Sequence, residues 1–556
     1  MSTPFHASTR ADRLEHLEDE PFDLVVIGGG ITGAGVARDA AMRGLRVALL
    51  EKGDLASGTS SASSKLVHGG LRYLAQGNLS LVFESVSERA RLGVLAPHLV
   101  RPTPFLMPVW RKAPTRLFLV ALALWIYELL ALFRVPRLHS TYRGRRALDV
   151  VPELQEDGLD GAVLFWDCAT DDARLVLETA RSAHDAGAWV LPRVAVTGFL
   201  SERSHVNGVT ARDELTGRTV EVRGKVVVNA TGPWTDRTLG LRRQRSRLLR
   251  PTKGSHIVLS ADRLPLTATV MLPAEDGRTV FAIPSGERIF VGTTDTDYEG
   301  DYDRVRVTGD EADWFLSVLN HRFPRAALSR DDVLGSWAGL RPLLRSDGGE
   351  RDIPRDHAVH EDDDGLVTVA GGKLTTYRLM AQEVVELAAR RLRAEGLHVG
   401  RCPTGAVLLP GGQGVTRRTG RLVTTLPDGA ALEEEARERF GEDVLQHLLE
   451  AYGGRWVEVA ARTDEHASLG ERIDPELPYL WAEVDHAVFE ELALTLEDVM
   501  RRRTQLQLRA RDRGRGVAPR VAARMATLLG WSDQEAQRQL AHWSALVTDQ
   551  ESWRSA

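Results

Sequence analysis

The chain has 556 residues, too many for one ordinary domain at roughly 150 residues each. Its formal net charge of −6 supplies no basic field, so nucleic acid is not expected as a partner. Two cysteines, Cys168 and Cys402, exclude a disulfide framework, a Cys-ligated iron–sulfur cluster and a C-x-x-C redox pair within the chain, and fit a reducing compartment.

Residues 1–20 are polar and mixed in charge, without an apolar leader; a short flexible arm is expected. Residues 23–27 then form an apolar β-type run ending directly in Gly-x-Gly-x-x-Gly, made by Gly28, Gly30 and Gly33. A helical pattern closed by Gly44 follows, then a second β-type run, 47–50, that ends in Glu51. Strand, turn, helix, strand and acid in this order predict a dinucleotide-binding unit rather than a Gly-rich turn without a ligand. Gly28 permits the tight turn, Gly30 lets the backbone approach a pyrophosphate, and Gly33 lets the helix pack close to the strands. The helix start, at Ile31 and Thr32, offers free N–H groups to phosphate oxygens. Glu51 lies roughly 20 residues on, where the ribose-binding acid is expected.

Residues 52–74 are dense in Ser, Thr and Gly, then turn apolar and carry His68, Arg72 and Tyr73 together, which suits a pocket wall better than a linker. Lys52-Gly53-Asp54 followed by SSASSKLVHGGLRYL resembles the FAD-dependent glycerol-3-phosphate dehydrogenases. These flavoenzymes oxidise sn-glycerol 3-phosphate to dihydroxyacetone phosphate and reduce quinone. The resemblance continues through PELQEDGLDGAVLFWDCATDDARLVL, VVNATGPWTD, PTKGSHIVL, FVGTTDTDYEGD, WAGLRPLL, GGKLTTYR and TLEDVMRRRTQLQLRA, so it covers most of the chain. It implies an α/β protein (α+β overall). A Rossmann-like FAD-binding domain of the glutathione-reductase/amino-acid-oxidase type would carry an antiparallel-sheet cap and a helical C-terminal domain. The expected boundaries are an arm at 1–20 and an oxidoreductase region at 21–395. Within that region the FAD parts fall at about 21–80, 150–250 and 336–395, and the cap parts at about 81–149 and 251–335. A linker at 396–416 and a helical domain at 417–556 complete the division.

Residues 117–133 read LFLVALALWIYELLALF, with Glu128 the only charge and basic residues on both flanks. Three readings stand: a buried core helix, a helix lying in a membrane interface, and a short span. Similarity to a peripheral quinone-reducing family favours the second. It implies a cytoplasmic protein on the inner face of the cytoplasmic membrane.

Further on, a helix is predicted at 173–187, a strand at 188–196 and a hairpin about Thr216-Gly217. A buried strand at 226–228 leads into Ala230-Thr231-Gly232-Pro233-Trp234, where small residues let backbone approach a dinucleotide. With a single Gly-x-Gly-x-x-Gly upstream, this argues for FAD rather than NAD. Short β-type pieces between 251 and 337 suit a sheet that caps the flavin. Residues 366–370 form a strand running into Gly371-Gly372-Lys373-Leu374-Thr375 and a long helix. In the family this helix start points at the isoalloxazine. The Gly- and Pro-rich stretch 403–414 reads as linker, and the run Arg501-Arg502-Arg503 as a solvated helix face.

Oxidation of a secondary alcohol by hydride transfer to flavin N5 requires a base for the hydroxyl proton, cations for the phosphate and a positive field at the ring. His256 and His68 are the candidate bases, because imidazole titrates near neutrality. Arg72, Arg341 and Arg355 stand at positions matching substrate-contacting arginines of the family, Tyr73 lines the same pocket, and Lys373 serves the flavin or the substrate oxygens. The cofactor is FAD. Its contacts are expected from Gly28, Gly30, Ile31, Thr32, Gly33, Glu51 and Lys52; from Thr59, Ser60, Ser63, Ser64, Lys65, His68 and Gly69; and from Val194, Ala230, Thr231, Gly232, Trp234, Gly372, Lys373, Leu374 and Thr375. No metal is expected. Partners are sn-glycerol 3-phosphate, a quinone, the membrane surface and a second copy in a homodimer. Two alternatives remain: an oxidase passing electrons to O2 with release of H2O2, and a flavin-binding protein without turnover.

Overall fold

The computed structural model describes residues 4–555 apart from 20, 72–73, 75–76, 114, 243–246, 346–356 and 419. Strand Phe22–Ile27 is buried along its whole length, as a run of apolar residues covered on both faces must be. It pairs in parallel with Val47–Glu51 on one side and Thr219–Asn229 on the other. Trp189–Pro192 extends this sheet at one edge, and Val367–Gly371 with His357–Glu361 at the other. A hairpin of Val194–Glu202 and His205–Asp213 pairs onto the projecting end of Thr219–Asn229. Helix Ile31–Met42 lies between this sheet and helices Asp172–Asp185 and Tyr377–Ala394. Gly35 makes that packing possible, since a Cβ there would press on Tyr377 and Ala381.

The second sheet has ten strands. Near one end of it Thr252–Ser260 pairs with Arg288–Gly292 and Val333–Arg341. Thr279–Ser285 and Thr269–Pro273 continue it to Arg101–Trp110 and Leu159–Ala169. The expected cap boundaries therefore need correction. Leu66–Val67, Leu159–Ala169 and the part of Val333–Arg341 from Ser336 onward, assigned from sequence to the FAD parts, pair into the cap sheet. The pairing is antiparallel except where Thr269–Pro273 meets Arg101–Trp110 in parallel.

Two other stretches differ from expectation. The N-terminal arm is a helix, Ala7–Glu15, anchored by buried Phe5, Leu14 and Leu17 and by an ion pair of Arg10 with Asp213. The 396–416 stretch is packed against the flavin domain rather than a free linker. Leu409 is buried and donates its N–H to the Leu95 carbonyl at 2.9 Å, Gly411 N–H binds Glu178 Oε2 at 2.7 Å, and Arg38 Nη2 donates to the Val407 carbonyl at 2.7 Å. Buried polar groups must be paired, and these backbone groups supply the partners.

The remaining chain opens with an antiparallel hairpin, Val415–Arg418 and Arg421–Thr424, and is otherwise helical, packing around Tyr452, Trp456, Trp481 and Trp543. Here the arginine run is not a solvated face. It forms a π-helical turn, Val499–Arg503, in which Arg502 and Arg503 are buried. Arg502 Nε reaches Asp54 Oδ2 at 2.5 Å, and Arg503 Nη2 reaches Asp54 Oδ1 at 2.9 Å. Burial raises the cost of the Asp54 carboxylate, but the two guanidiniums outweigh it and hold its pKa down at about 2.

Helix Leu117–Leu130 divides its faces. Leu117, Val120, Leu124 and Tyr127 are buried, whereas Phe118, Leu122, Trp125 and Leu129 are exposed. The single acid is turned inward: Glu128 accepts from His139 N–H at 2.6 Å and lies 3.0 Å from its Nδ1. The exposed face is thus wholly apolar, and Arg111, Lys112, Arg116, Arg134 and Arg137 around it are exposed. One face therefore packs as an amphipathic core helix would, and the other is an exposed apolar face. Among the described residues no helix is long and apolar enough to cross a membrane.

Candidate active site

Between the two sheets lies a cavity of about 2150 Å³. Its floor is the Gly28–Gly33 turn. Gly28 has φ +109, a value that side chains resist. A Cβ on Gly33 would overlap the Gly28 carbonyl oxygen. The helix that follows has Gly30 as its N-cap and no side-chain cap, leaving its first turn to a ligand's oxygens. Ile31 N–H is the exception, donating to Ser60 Oγ at 3.0 Å. Glu51 binds the turn itself: Oε2 accepts from Gly29 N–H at 2.6 Å and Oε1 from Gly53 N–H at 2.7 Å. Burial raises its pKa against those two bonds. An open, side-chain-free helix start and a cavity of this volume fit a dinucleotide.

The Ser/Thr loop forms one wall, with most of its hydroxyls bonded to protein. Thr59 Oγ1 donates to the Leu340 carbonyl at 2.6 Å, and Ser63 Oγ donates to Asp172 Oδ2 at 2.7 Å. Ser64 Oγ lies 2.9 Å from His256 Nε2. Opposite, Ala230 to Gly232 and Trp234 line the cavity, with the Lys52 ammonium 4.4 Å above the Trp234 ring and paired to Asp303.

His256 stands on the cap strand, buried, with its ring stacked on Trp337 at 4.6 Å and 3°. A Cβ on Gly292 would overlap that ring, so the neighbouring strand leaves the imidazole its place. Burial, then the charges of Arg341 and Lys65, hold the imidazole well below its ordinary pKa. It is therefore neutral at physiological pH and able to accept a proton. Arg341 ends the adjacent strand and passes over Gly254, where a Cβ would lie 2.5 Å from Nη2. Nη1 binds the Thr294 carbonyl and Asp295 Oδ1, both at 3.0 Å, and Nη2 binds Thr293 Oγ1 at 2.8 Å. His68 lines the cavity, its carbonyl accepting from Thr375 Oγ1 at 3.2 Å. Gly371 and Gly372 turn with positive φ into Leu374–Thr376, and Lys373 Nζ reaches Ser85 Oγ at 3.2 Å.

The cavity brings together all but three of the expected site residues that are described. Gly33 lies behind the turn, in the packing role expected of it. The Lys65 ammonium is directed to Asp172 at 2.5 Å, and Gly69 gives its N–H to Asp167, so these two serve the loop's own structure. Arg72, Tyr73 and Arg355 lie outside the described residues.

Sequence reading missed two walls. One is apolar: Phe105 and Met107 at alternate positions of a strand, Phe165, and Leu119, Ala123 and Ile126 of the Leu117–Leu130 helix. The strand alternation was a usable signal; the helix edge was not. The other comes from the C-terminal domain, with Glu497, Arg501, His542 and Leu546.

Comparison with known proteins agrees with this geometry. Residues 23–387 match the family model described as FAD dependent oxidoreductase, and residues 402–536 match the C-terminal domain of alpha-glycerophosphate oxidase. The chain is 39% identical over 543 residues to glycerol-3-phosphate dehydrogenase 2 of Mycobacterium bovis, covering 97% of this chain and 90% of the relative. It is 33% identical over 592 residues to alpha-glycerophosphate oxidase of Enterococcus casseliflavus, covering 96% and 95%. The solved glycerol-3-phosphate dehydrogenase of Bacillus halodurans, complexed with FAD, superposes with a TM-score of 0.78 at 31% identity and 98% coverage of both chains.

Proposed function

The chain belongs to the FAD-dependent glycerol-3-phosphate dehydrogenase family, and from that premise we propose that it oxidises sn-glycerol 3-phosphate to dihydroxyacetone phosphate and passes the electrons to a quinone. The observation that carries this reading is the continuity of one cavity. It joins the open helix start, the buried His256 beside Arg341, and an apolar end at the Leu117–Leu130 helix. Bound FAD supplies the hydride acceptor.

The chain's own residues do the rest. Gly28, Gly30 and the N–H groups of the first helical turn hold the diphosphate. Arg341 is fixed by Thr293, Thr294 and Asp295, and its charge faces the substrate phosphate. His256 Nε2 takes the hydroxyl proton. Its neutral form at physiological pH suits it to this task, and the substrate hydroxyl would replace Ser64 Oγ, which lies 2.9 Å from Nε2, as its partner. Lys373 and the helix start after it place positive potential at the ring. The cap sheet closes the chemistry off from water.

The apolar end supports the quinone. Leu119, Ala123 and Ile126 bring the cavity to the edge of a helix whose outer face is exposed and apolar, ringed by exposed cations. Such a face suits the interface of an anionic bilayer, where a quinone dissolves. The relative named an oxidase makes O2 the rival acceptor.

Anaerobic titration of the purified protein with sn-glycerol 3-phosphate tests both steps. The flavin should bleach at one equivalent, and a quinone analogue should restore its colour faster than air-saturated buffer. Absence of bleaching would end the substrate reading; faster recovery in air, with stoichiometric peroxide, would replace quinone by O2.

A further inference from the structure

The C-terminal domain lines the same cavity as the flavin domain. Val499–Arg503, the residues just before it, and helix Asp533–Glu551 bring Glu497, Arg501, His542 and Leu546 to its wall. That wall stands beside the Glu51 turn. Asp54, three residues after Glu51, is the buried acceptor of Arg502 and Arg503. Arg193 donates its backbone N–H to the Gly53 carbonyl at 2.8 Å, and its Nη2 reaches Thr495 Oγ1 at 2.9 Å and Asp498 Oδ1 at 2.5 Å. Asp54 and Arg193 therefore join the two domains at the corner where a dinucleotide fold receives the adenosine ribose.

Arg501 differs from its two neighbours. Among the described residues its guanidinium makes one hydrogen bond, from Nη1 to Glu497 Oε1 at 2.9 Å. It lines the cavity, and burial lowers its pKa against the pull of Glu497. A guanidinium carries five N–H donors, and the Arg501 side chain, 23% exposed, leaves the rest of its donors open to the cavity. Glu497 is itself shared: Oε1 also accepts from Arg502 Nη1 at 2.9 Å, and Oε2 lies 3.5 Å from His542 Nε2. The carboxylate thus fixes Arg501 in direction without satisfying it. A ligand with several oxygen acceptors at this corner would complete the set.

We propose that Arg501 donates to the adenosine monophosphate half of FAD, held in place by Glu497 and His542, so that the C-terminal domain is one wall of the cofactor site. The proposal rests on FAD as the cofactor. It makes domain docking and FAD binding mutually reinforcing, because the ion pairs that dock the domain also orient Arg501.

The test is flavin binding by the full chain, stripped of flavin and titrated back with FAD or with FMN, which lacks the adenosine half. In Arg501→Gln the Kd for FAD should rise about tenfold, the loss of one charge-assisted hydrogen bond. The Kd for FMN should stay that of the parent. FAD, but not FMN, should slow amide hydrogen exchange across 533–551 in the parent chain, and Arg501→Gln should reduce that protection. An unchanged FAD affinity, an equal loss for FAD and FMN, or exchange that ignores FAD would each overturn the proposal. A parent chain that takes up no FAD would overturn the cofactor assignment with it.

Discussion

Replacing His256 by Gln isolates the proton-accepting step. The change keeps a polar group beside Ser64 and similar bulk against Trp337, so the stacked wall should survive. It removes a nitrogen lone pair that the structure keeps unprotonated. A positioned general base contributes roughly 10²–10⁴ in rate. His256 is 1% exposed, so water has little access to replace it, and a loss near the middle of that range is expected. That is about a thousandfold, or about 4 kcal/mol on the barrier. The assay is stopped-flow bleaching of the flavin by saturating sn-glycerol 3-phosphate without oxygen, which separates chemistry from reoxidation. The pH profile gives a second reading. A free imidazole is half protonated near pH 6.5. Burial and two neighbouring cations push His256 well below that value, so the neutral, active form should persist as pH falls through 6.5. A bleaching rate in His256→Gln within threefold of the parent would refute the assignment. So would a parent profile that falls with a midpoint at pH 6.5.

Four other outcomes are expected. Gly33→Ala should lose flavin, because the added methyl group overlaps the Gly28 carbonyl and forces the helix from its strand at about 3 kcal/mol; absorbance at 450 nm per chain measures it. Asp54→Asn should lower the unfolding free energy, read by denaturant titration, by about 3 kcal/mol, since Arg502 and Arg503 stay buried without their shared carboxylate. The parent should also lose stability in acid. Asp54 and Glu491 both have folded pKa values of about 2, below their ordinary ones, so their contribution is present above about pH 4.5 and is lost as pH falls toward 2. Leu122→Glu with Trp125→Glu should leave unfolding within about 0.5 kcal/mol, as both side chains are exposed, yet abolish sedimentation with anionic vesicles; equal pelleting of parent and variant would refute the membrane-facing role of that helix.

The sequence by itself determined the parts whose cause is local. Strand, Gly-rich turn, helix, strand and acid fall within thirty residues, and each glycine answers to a contact inside that unit, as Gly33 against Gly28 does. Buried strands such as 226–228, the hairpin about Thr216-Gly217 and the small residues at 230–232 were legible for the same reason. His256 and Arg341 were legible as chemical types at matched motifs. Their union required the pairing of Thr252–Ser260 with Val333–Arg341, which sets two distant strands side by side.

Tertiary structure alone decided where charges end. Arg502 looked like surface because a sequence gives a charge but not its partner, and the partner, Asp54, is 448 residues away. Lys65, expected among the FAD contacts, turns its ammonium to Asp172, a partner 107 residues away. The N-terminal helix looked loose because its composition is polar, and the 396–416 stretch because it is rich in Gly and Pro; neither pattern reveals the buried acceptors waiting on the flavin domain. A charged side chain is stable in the interior only when a complementary group arrives from elsewhere in the chain. Such pairings set the wall that the C-terminal domain presents to the cavity, and no local pattern of residues encodes them.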